Sequence, residues 1–241
     1  MSYGEHRVLV MGAAGLDMKV QPRTEVIESA RSNPARIWRG WGGVARNIAE
    51  NLVRLGADVQ LMTAVGDDNW GRELLEHLDD LGIETEAVVV SSDHATASYV
   101  GVHHADKKLW VAFDDMTVIQ DVTPAHLERW RYLFNDVDMI CIDANLSPET
   151  LDALFKMAEA FDIPVCGDPT AALLAHRFHP HLDKMTAVTP DMDEAIALVG
   201  EELLGDEGIS YGARCLVNFG VDLAIITLGA KGLYYAASDE N

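Results

Sequence analysis

The sequence predicts an α/β protein built on a doubly wound, mostly parallel sheet, with a small antiparallel accessory sheet to one side. Three observations carry this. Short apolar runs of four to seven residues alternate with helix-period stretches for most of the chain. Thr123-Pro124 and Ser147-Pro148 each set a capping residue before a proline at a first helical position. Between the early and late βα units, two alternating runs joined by a polar turn read as a hairpin.

In order, Arg7 to Met11 is an apolar strand ending at Gly12-Ala13-Ala14-Gly15, with Asp17 just beyond. The G-x-x-G-x-D spacing lacks the full dinucleotide fingerprint, which argues against a nicotinamide cofactor. Val20 to Arg39 is polar, contains Pro22 and Pro34, shows no clear period, and is expected to leave the main sheet as an excursion. Gly42 and Gly43 then open a helix whose Val44, Ile48, Leu52 and Leu55 recur at helical spacing, and Gly56 closes it. Its free N–H groups are expected to point at a ligand, with Asn47 one turn in.

Val59 to Val65 is expected as one buried strand, Trp70 to Leu81 as a helix closed by Gly82, and Ala97 to His103 with Lys108 to Phe113 as the hairpin, turning at Ala105-Asp106. Further strands are expected at Met139 to Asp143, Pro164 to Gly167, Ala187 to Thr189 and Leu223 to Leu228, with helices after the two Pro starts, at Met192 to Val199 and around Ser210 to Phe219. Ligands of such a sheet sit beyond the carboxyl ends of the strands. Asp17, Gly66-Asp67, Asp143 to Asn145, Asp168, Asp191 with Glu194, and Thr227 to Gly229 fall there.

Composition narrows the function. With 18 Lys+Arg against 39 Asp+Glu the net charge is −21, which argues against a nucleic-acid backbone or an anionic membrane as a partner. Phosphate must then be held locally, by backbone amides, helix N-termini and a divalent cation. Cys141, Cys166 and Cys215 form neither a disulfide framework nor a zinc pattern and read as buried, reduced thiols of a cytoplasmic protein. No run reaches the roughly 18 to 20 apolar residues a bilayer span needs. His176, His179 and His181 form an H-x-x-H-x-H cluster, but Pro180 and polar neighbours suggest a surface loop, and no carboxylate or Cys spacing completes a ligand set. His103-His104 reads as exposed, and no nucleophile elbow occurs.

Four motifs in register match one family. Gly42, Gly43, Asn47, Gly56 and Gly66 stand in the order of its first signature, Asp17 in the place of its opening Asp, Asp191-Met192-Asp193-Glu194 in place of N-x-x-E, and Thr227-Leu228-Gly229-Ala230-Lys231-Gly232 as an intact T-L-G-x-K-G. The chain thus resembles the ribokinase (PfkB) family of carbohydrate and nucleoside kinases over essentially its whole length. The resemblance implies a ribokinase-like α/β domain over 1–241 with a β lid from segments about 18–40 and 91–116. It also implies an ATP-dependent phosphotransferase using Mg2+, and leaves open whether a monovalent cation assists.

By the same resemblance Asp17, Gly42, Gly43 and Asn47 hold sugar hydroxyls, together with Tyr99, Asp115 and Asn145. Asp191, Thr227, Gly229, Lys231 and Gly232 hold the nucleotide, and Glu194 orders the metal. Asp191, where the family has Asn, is equally a helix N-cap. The catalytic Asp belongs to a D-T-x-G-A-G-D run expected after Asn241, so none is assigned in the chain as given; a reading frame continuing past Asn241 is expected, and a binding fragment without turnover is the alternative.

Within the family, Ser32-Asn33-Pro34, Gly43-Val44-Ala45-Arg46-Asn47, Ala97-Ser98-Tyr99 and Asp114-Asp115-Met116 resemble the bacterial pseudouridine kinases. There Asp114 or Asp115 would accept from ring N–H groups of the base. The partners implied are a small nucleoside or sugar and, through the lid edge, a second copy of the chain.

Overall fold

A computed structural model describes residues 6–24, 27–104 and 106–238. Its strands and helices run β1 (Arg7–Met11), β2 (Gly15–Pro22), β3 (Ala35–Gly42), α1 (Val44–Arg54), β4 (Asp58–Met62), β5 (Ala64–Gly66), α2 (Asn69–Asp80), β6 (Val89–Ser91), β7 (Ser98–His103), β8 (Leu109–Asp115), α3 (Pro124–Arg129), β9 (Met139–Asp143), α4 (Pro148–Phe161), β10 (Val165–Asp168), α5 (Ala172–Ala175), β11 (Ala187–Val188), α6 (Met192–Val199), α7 (Gly205–Asn218), β12 (Leu223–Thr227) and β13 (Leu233–Ala237). Seven strands form the central sheet in the order β13-β12-β11-β10-β9-β1-β4, parallel throughout except for the antiparallel β13. One face packs on a core that includes Leu9, Met11, Ile140, Ile142, Leu154 and Phe178; the other, with Val8, Val10, Val59 and Leu61, is covered by α1 and α2. Both faces are buried, which is why these strands read as continuous apolar runs.

The two Pro-started helices begin as expected. Thr123 accepts from His126 N–H and Ser147 from Thr150 N–H, so each cap meets one orphan donor of its first turn.

Three expectations are corrected. The excursion after Asp17 is not irregular: β2 and β3 pair antiparallel over their whole length and join β7 and β8 in a four-stranded sheet, order β3-β2-β7-β8. That sheet is mixed, because its central pair, β2 with β7, is parallel. Val59 to Val65 is two strands: β4 stays in the central sheet, and beyond Thr63 β5 pairs with β6 in a separate ribbon. The last expected helix starts earlier, at Gly205, because Gly208 and Gly212 lie against Leu203 where a Cβ would collide. Of the expected hairpin turn, Ala105 lies outside the described residues. Cys141 is buried and its thiol is pushed up to about 12 by that burial, while Cys166 and Cys215 are half-buried.

His176 to Lys184 is a 3-10 helix and not a surface loop. His181 is buried, stacked on Phe155 at 4.3 Å and 3.2 Å from Asp152, while His176 and His179 each bond a backbone carbonyl. Packing consumes only His181; His176 and His179 stay exposed.

Candidate active site

The site follows from register. Residues directly opposite one another on neighbouring strands share a face. Gly40 pairs with Asp17, Asp17 with Tyr99 and Tyr99 with Asp114, so one row across the four-stranded sheet carries Asp17, Tyr99 and Asp114 on one side. That row roofs a cavity of about 280 Å³ whose floor is formed by Ala13, Gly43, Val44, Asn47 and Asn145, with Met116, Thr170, Ala171 and Leu174 closing it. The floor lies at the carboxyl ends of β1 and β9 and the start of α1. A larger hollow of about 410 Å³ near Phe155, Pro164, Lys184 and Thr186 opens where β10 and β11 begin, the wrong end of the sheet for a ligand.

Glycine is required at the rim. A Cβ on Gly42 would overlap the Asp17 carboxylate, and Gly43, the N-cap of α1 at φ +93°, would drive one into the Ala13 carbonyl. The free N–H groups expected to face a ligand are in part occupied. Ala45 N–H donates to Asp143 Oδ2 at 2.9 Å and Arg46 N–H to the Ala13 carbonyl at 3.2 Å.

Two charged residues hold the cavity from behind: Asp143, which the sequence places at a strand's carboxyl end without giving it a role, and Arg46, to which it gives none. Asp143 is fully buried. Its Oδ2 accepts from Ala13 N–H and Ala45 N–H, its Oδ1 from Asn145 N–H and Nδ2, all within 2.8–3.0 Å, and a Cβ on Gly12 would fill the space its carboxyl takes. Burial raises its proton affinity against those four donors. Arg46 is buried too. It donates to the Trp41 carbonyl at 2.7 Å, to Asn47 Oδ1 and to Glu50, which also pairs with Arg54. Arg177 adds a third clamp, with Nη1 3.0–3.2 Å from the carbonyls of Ala144, Asn145 and Leu146. The signal missed for Arg46 was a charge beside Ala45 and Ala49 on the inner face of the helix; for Asp143 the strand-end position was read, and its turn inward onto backbone N–H groups was not.

Among the residues expected here, Asp17, Gly43, Asn47, Tyr99 and Asn145 line the cavity and Gly42 backs Asp17. Asp115 does not join them: its carboxylate accepts from Thr117 N–H and Oγ1 at 3.1 and 2.7 Å, and its neighbour Asp114 faces the cavity. Burial raises the Asp17 carboxyl, with Lys19 and Arg46 pulling it back, and burial beside Asp17 and Asp114 raises the Tyr99 phenol. Thr170 was also missed. It takes φ +67°, a strained geometry for a β-branched residue, held by its N–H to Asp168 Oδ1 at 2.8 Å.

The second set of expected residues gathers past β11 and β12. Asp191 and Glu194 form a reciprocal capping box at the start of α6: Glu194 N–H to Asp191 Oδ1 at 2.9 Å, and Asp191 N–H to Glu194 Oε2 at 2.8 Å. Glu194 is buried, and this together with Asp191, Asp168 and Asp193 pushes its carboxyl to about 7, against the bond from Asp191 N–H. Thr227 ends β12 with its N–H on the Pro190 carbonyl at 2.9 Å. The turn at Gly229–Lys231 runs to Gly232, with Gly229 and Gly232 at φ +58° and +95° and open space where a Cβ would stand. Asp168, at the end of β10, links the halves: Asp143 and Asp191 both raise its carboxyl, behind the dominant effect of burial.

Among the described residues no three His, Cys, Asp or Glu side chains converge closely enough to hold a metal alone. Crowded carboxylates that repel one another, with Glu194 at their centre, do fit a hydrated divalent cation that takes its remaining ligands from phosphate. The open, glycine-flexed turn beside them fits a nucleotide. None of the described helices is long and apolar enough to cross a membrane.

Comparison with known proteins agrees with this geometry. The pfkB family carbohydrate kinase model matches residues 5–241. The chain is 29% identical over 229 residues to the pseudouridine kinase of Escherichia coli (strain K12), an alignment covering 95% of this chain and 72% of that protein. A carbohydrate kinase structure from Agrobacterium tumefaciens superposes with TM-score 0.79 at 27% identity, over 92% of this chain and 69% of the other. The Arabidopsis thaliana ribokinase complexed with ribose and ATP superposes with TM-score 0.80 at 18% identity, over 98% of this chain and 76% of the other, a likeness of fold. With the family model spanning all but the first four residues, and with the same ribokinase-like fold in solved kinases, the chain belongs to the pfkB family of carbohydrate kinases.

Proposed function

We propose that this kinase transfers the γ-phosphoryl group of ATP to the primary hydroxyl of a ribosyl substrate, most specifically pseudouridine, giving pseudouridine 5′-phosphate. The observation that carries the reading is the row Asp17–Tyr99–Asp114 roofing the cavity floored by Asn47 and Asn145. Asp17, Asn47 and Asn145 suit a sugar diol. Tyr99 and Asp114 suit the base, because a uracil joined through carbon keeps two ring N–H groups and a carboxylate accepts them. The relatedness to a pseudouridine kinase points the same way.

Residues 15–22, 35–42, 98–103 and 109–115 act in this proposal as a lid that excludes water over the acceptor. Asp191, Thr227, Gly229, Lys231 and Gly232 hold the nucleotide. Glu194 holds Mg2+, which when bound neutralises phosphate charge as the Pγ–O bond to ADP breaks and the bond to the acceptor oxygen forms. The base receiving the hydroxyl proton is not among the residues assigned here. On the lid's other side Ile37 and Phe113 are exposed on one face, where we place a second copy of the chain.

The test is a coupled ADP-release assay with Mg2+ and ATP over pseudouridine, uridine, guanosine and ribose, with calorimetry on the same ligands and a potassium titration. Pseudouridine should bind tightest and release ADP fastest. Preference for another ribosyl acceptor moves the substrate within the family, and binding without ADP release favours a binding role for residues 1–241. Sedimentation should give a dimer that Phe113→Asp dissociates.

A further inference from the structure

The two amides on the cavity floor have their orientations dictated by what stands behind them. A guanidinium carries only donors, so the Asn47 amide atom against Arg46 must be oxygen, and Nδ2 is left for the cavity. An ionised carboxylate only accepts. Asp143 Oδ1 already accepts Asn145 N–H at 2.9 Å and takes Asn145 Nδ2 at 3.0 Å, so the side-chain Oδ1 of Asn145 is left for the cavity. Both Asp143 oxygens are saturated by N–H donors, with Ala13 and Ala45 on Oδ2, which leaves no room for a proton between carboxyl and amide. Arg46 is anchored in turn by Glu50 and the Trp41 carbonyl, so neither clamp can swing to follow an amide that turns over.

Resting on the ribosyl reading above, we propose that Arg46 and Asp143 are positioning residues that fix the hydrogen-bond polarity of the acceptor cavity, Asn47 offering a donor and Asn145 an acceptor. The ligand this selects has one hydroxyl that accepts from Asn47 and one that donates to Asn145. A vicinal diol meets both demands, and the Asp17 carboxylate takes a further hydroxyl proton.

Substitutions that swap polarity while keeping shape test this. Asn47→Asp keeps an oxygen on Arg46 and turns the cavity donor into an acceptor. It should weaken binding of the tightest ligand among pseudouridine, uridine, guanosine and ribose at least tenfold with no drop in Tm, and retention within threefold would overturn the proposal. The second arm uses ribosyl analogues in which each hydroxyl in turn is replaced by fluorine, which cannot donate. Wild type should lose tenfold or more at the position facing Asn145. In Asp143→Asn, which frees the Asn145 amide to turn over, that penalty should shrink below threefold, a change that mere loosening of the fold does not produce at one position alone. An unchanged penalty in a folded Asp143→Asn protein would overturn the Asp143 half. If Asp143→Asn does not fold, Arg46→Gln applies the same logic to the hydroxyl facing Asn47. There an analogue whose hydroxyl is replaced by an amino group, protonated and donor-only, should gain on wild type, and no relative gain would overturn the inference. Failure of every ribosyl ligand to bind wild type would instead remove the ribosyl reading itself.

Discussion

Glu194 sits under two opposed demands. Its carboxylate closes the α6 capping box, which favours charge, while burial among Asp191, Asp168 and Asp193 raises its affinity for a proton to about 7. An unfolded Glu releases its proton near its ordinary value of 4.5, so folding takes one up between roughly 4.5 and 7. Stability is therefore fullest below that window and falls as pH rises through it. Glu194→Gln keeps an acceptor for Asp191 N–H and removes the titration. It should flatten the pH profile and raise stability at pH 8 by on the order of 2 kcal/mol, as read by urea unfolding at pH 5 and pH 8. The same substitution should weaken Mg-ATP binding, whereas in wild type that binding should strengthen from pH 6 to pH 8, as calorimetry can follow. A smaller change, Gly42→Ala, displaces the Asp17 carboxylate by pure volume. A tenfold or greater loss of acceptor affinity is expected, with ATP affinity unchanged. Such residues were legible in the sequence because glycines and amides near strand ends advertise a ligand. Arg46 and Arg177 were not, and Asp143 was placed at its strand end without its role, since what these side chains bind is in large part backbone, whose position no side-chain pattern reveals.

At the level of elements, the helices with chemical starts were legible and those built on tolerance were not. Thr123 and Ser147 cap α3 and α4 through one side-chain oxygen each, so Thr123→Ala and Ser147→Ala should each cost about 1 kcal/mol in denaturant unfolding. The start of α7 was hidden by Gly205, Gly208 and Gly212, residues that weaken a helical pattern and are present here because Leu203 packs against two of them. The strands β2 and β3 were hidden for a different reason. Arg36, Ile37, Trp38 and Arg39 follow one another in a sheet whose two faces are both partly open, so neither face demands apolar residues and no period of two develops. Phe113 and Ile37 look like scattered exposed side chains until pairing puts them on one side.

Across the whole molecule the charge of −21 works against the nucleotide. An anionic ligand approaching an anionic protein is repelled at long range, and salt screens that repulsion within about 10 Å at 0.1 M. ATP association at saturating Mg2+ should therefore quicken as NaCl rises from 20 to 200 mM, the opposite of a basic nucleotide site, and stopped-flow binding can read the sign. The parallel seam between β2 and β7 has a further consequence, in time. Asp17 and Tyr99 meet only after the chain closes a loop of about eighty residues, which contains β3, α1, β4, α2 and the β5–β6 ribbon. Pairs so distant in sequence form late. In pulse-labelled hydrogen exchange the β2 amides bonded to β7 should gain protection after those joining β11, β12 and β13, whose partners lie far closer in sequence, so a refolding chain should acquire the proposed nucleotide half before it can grip an acceptor.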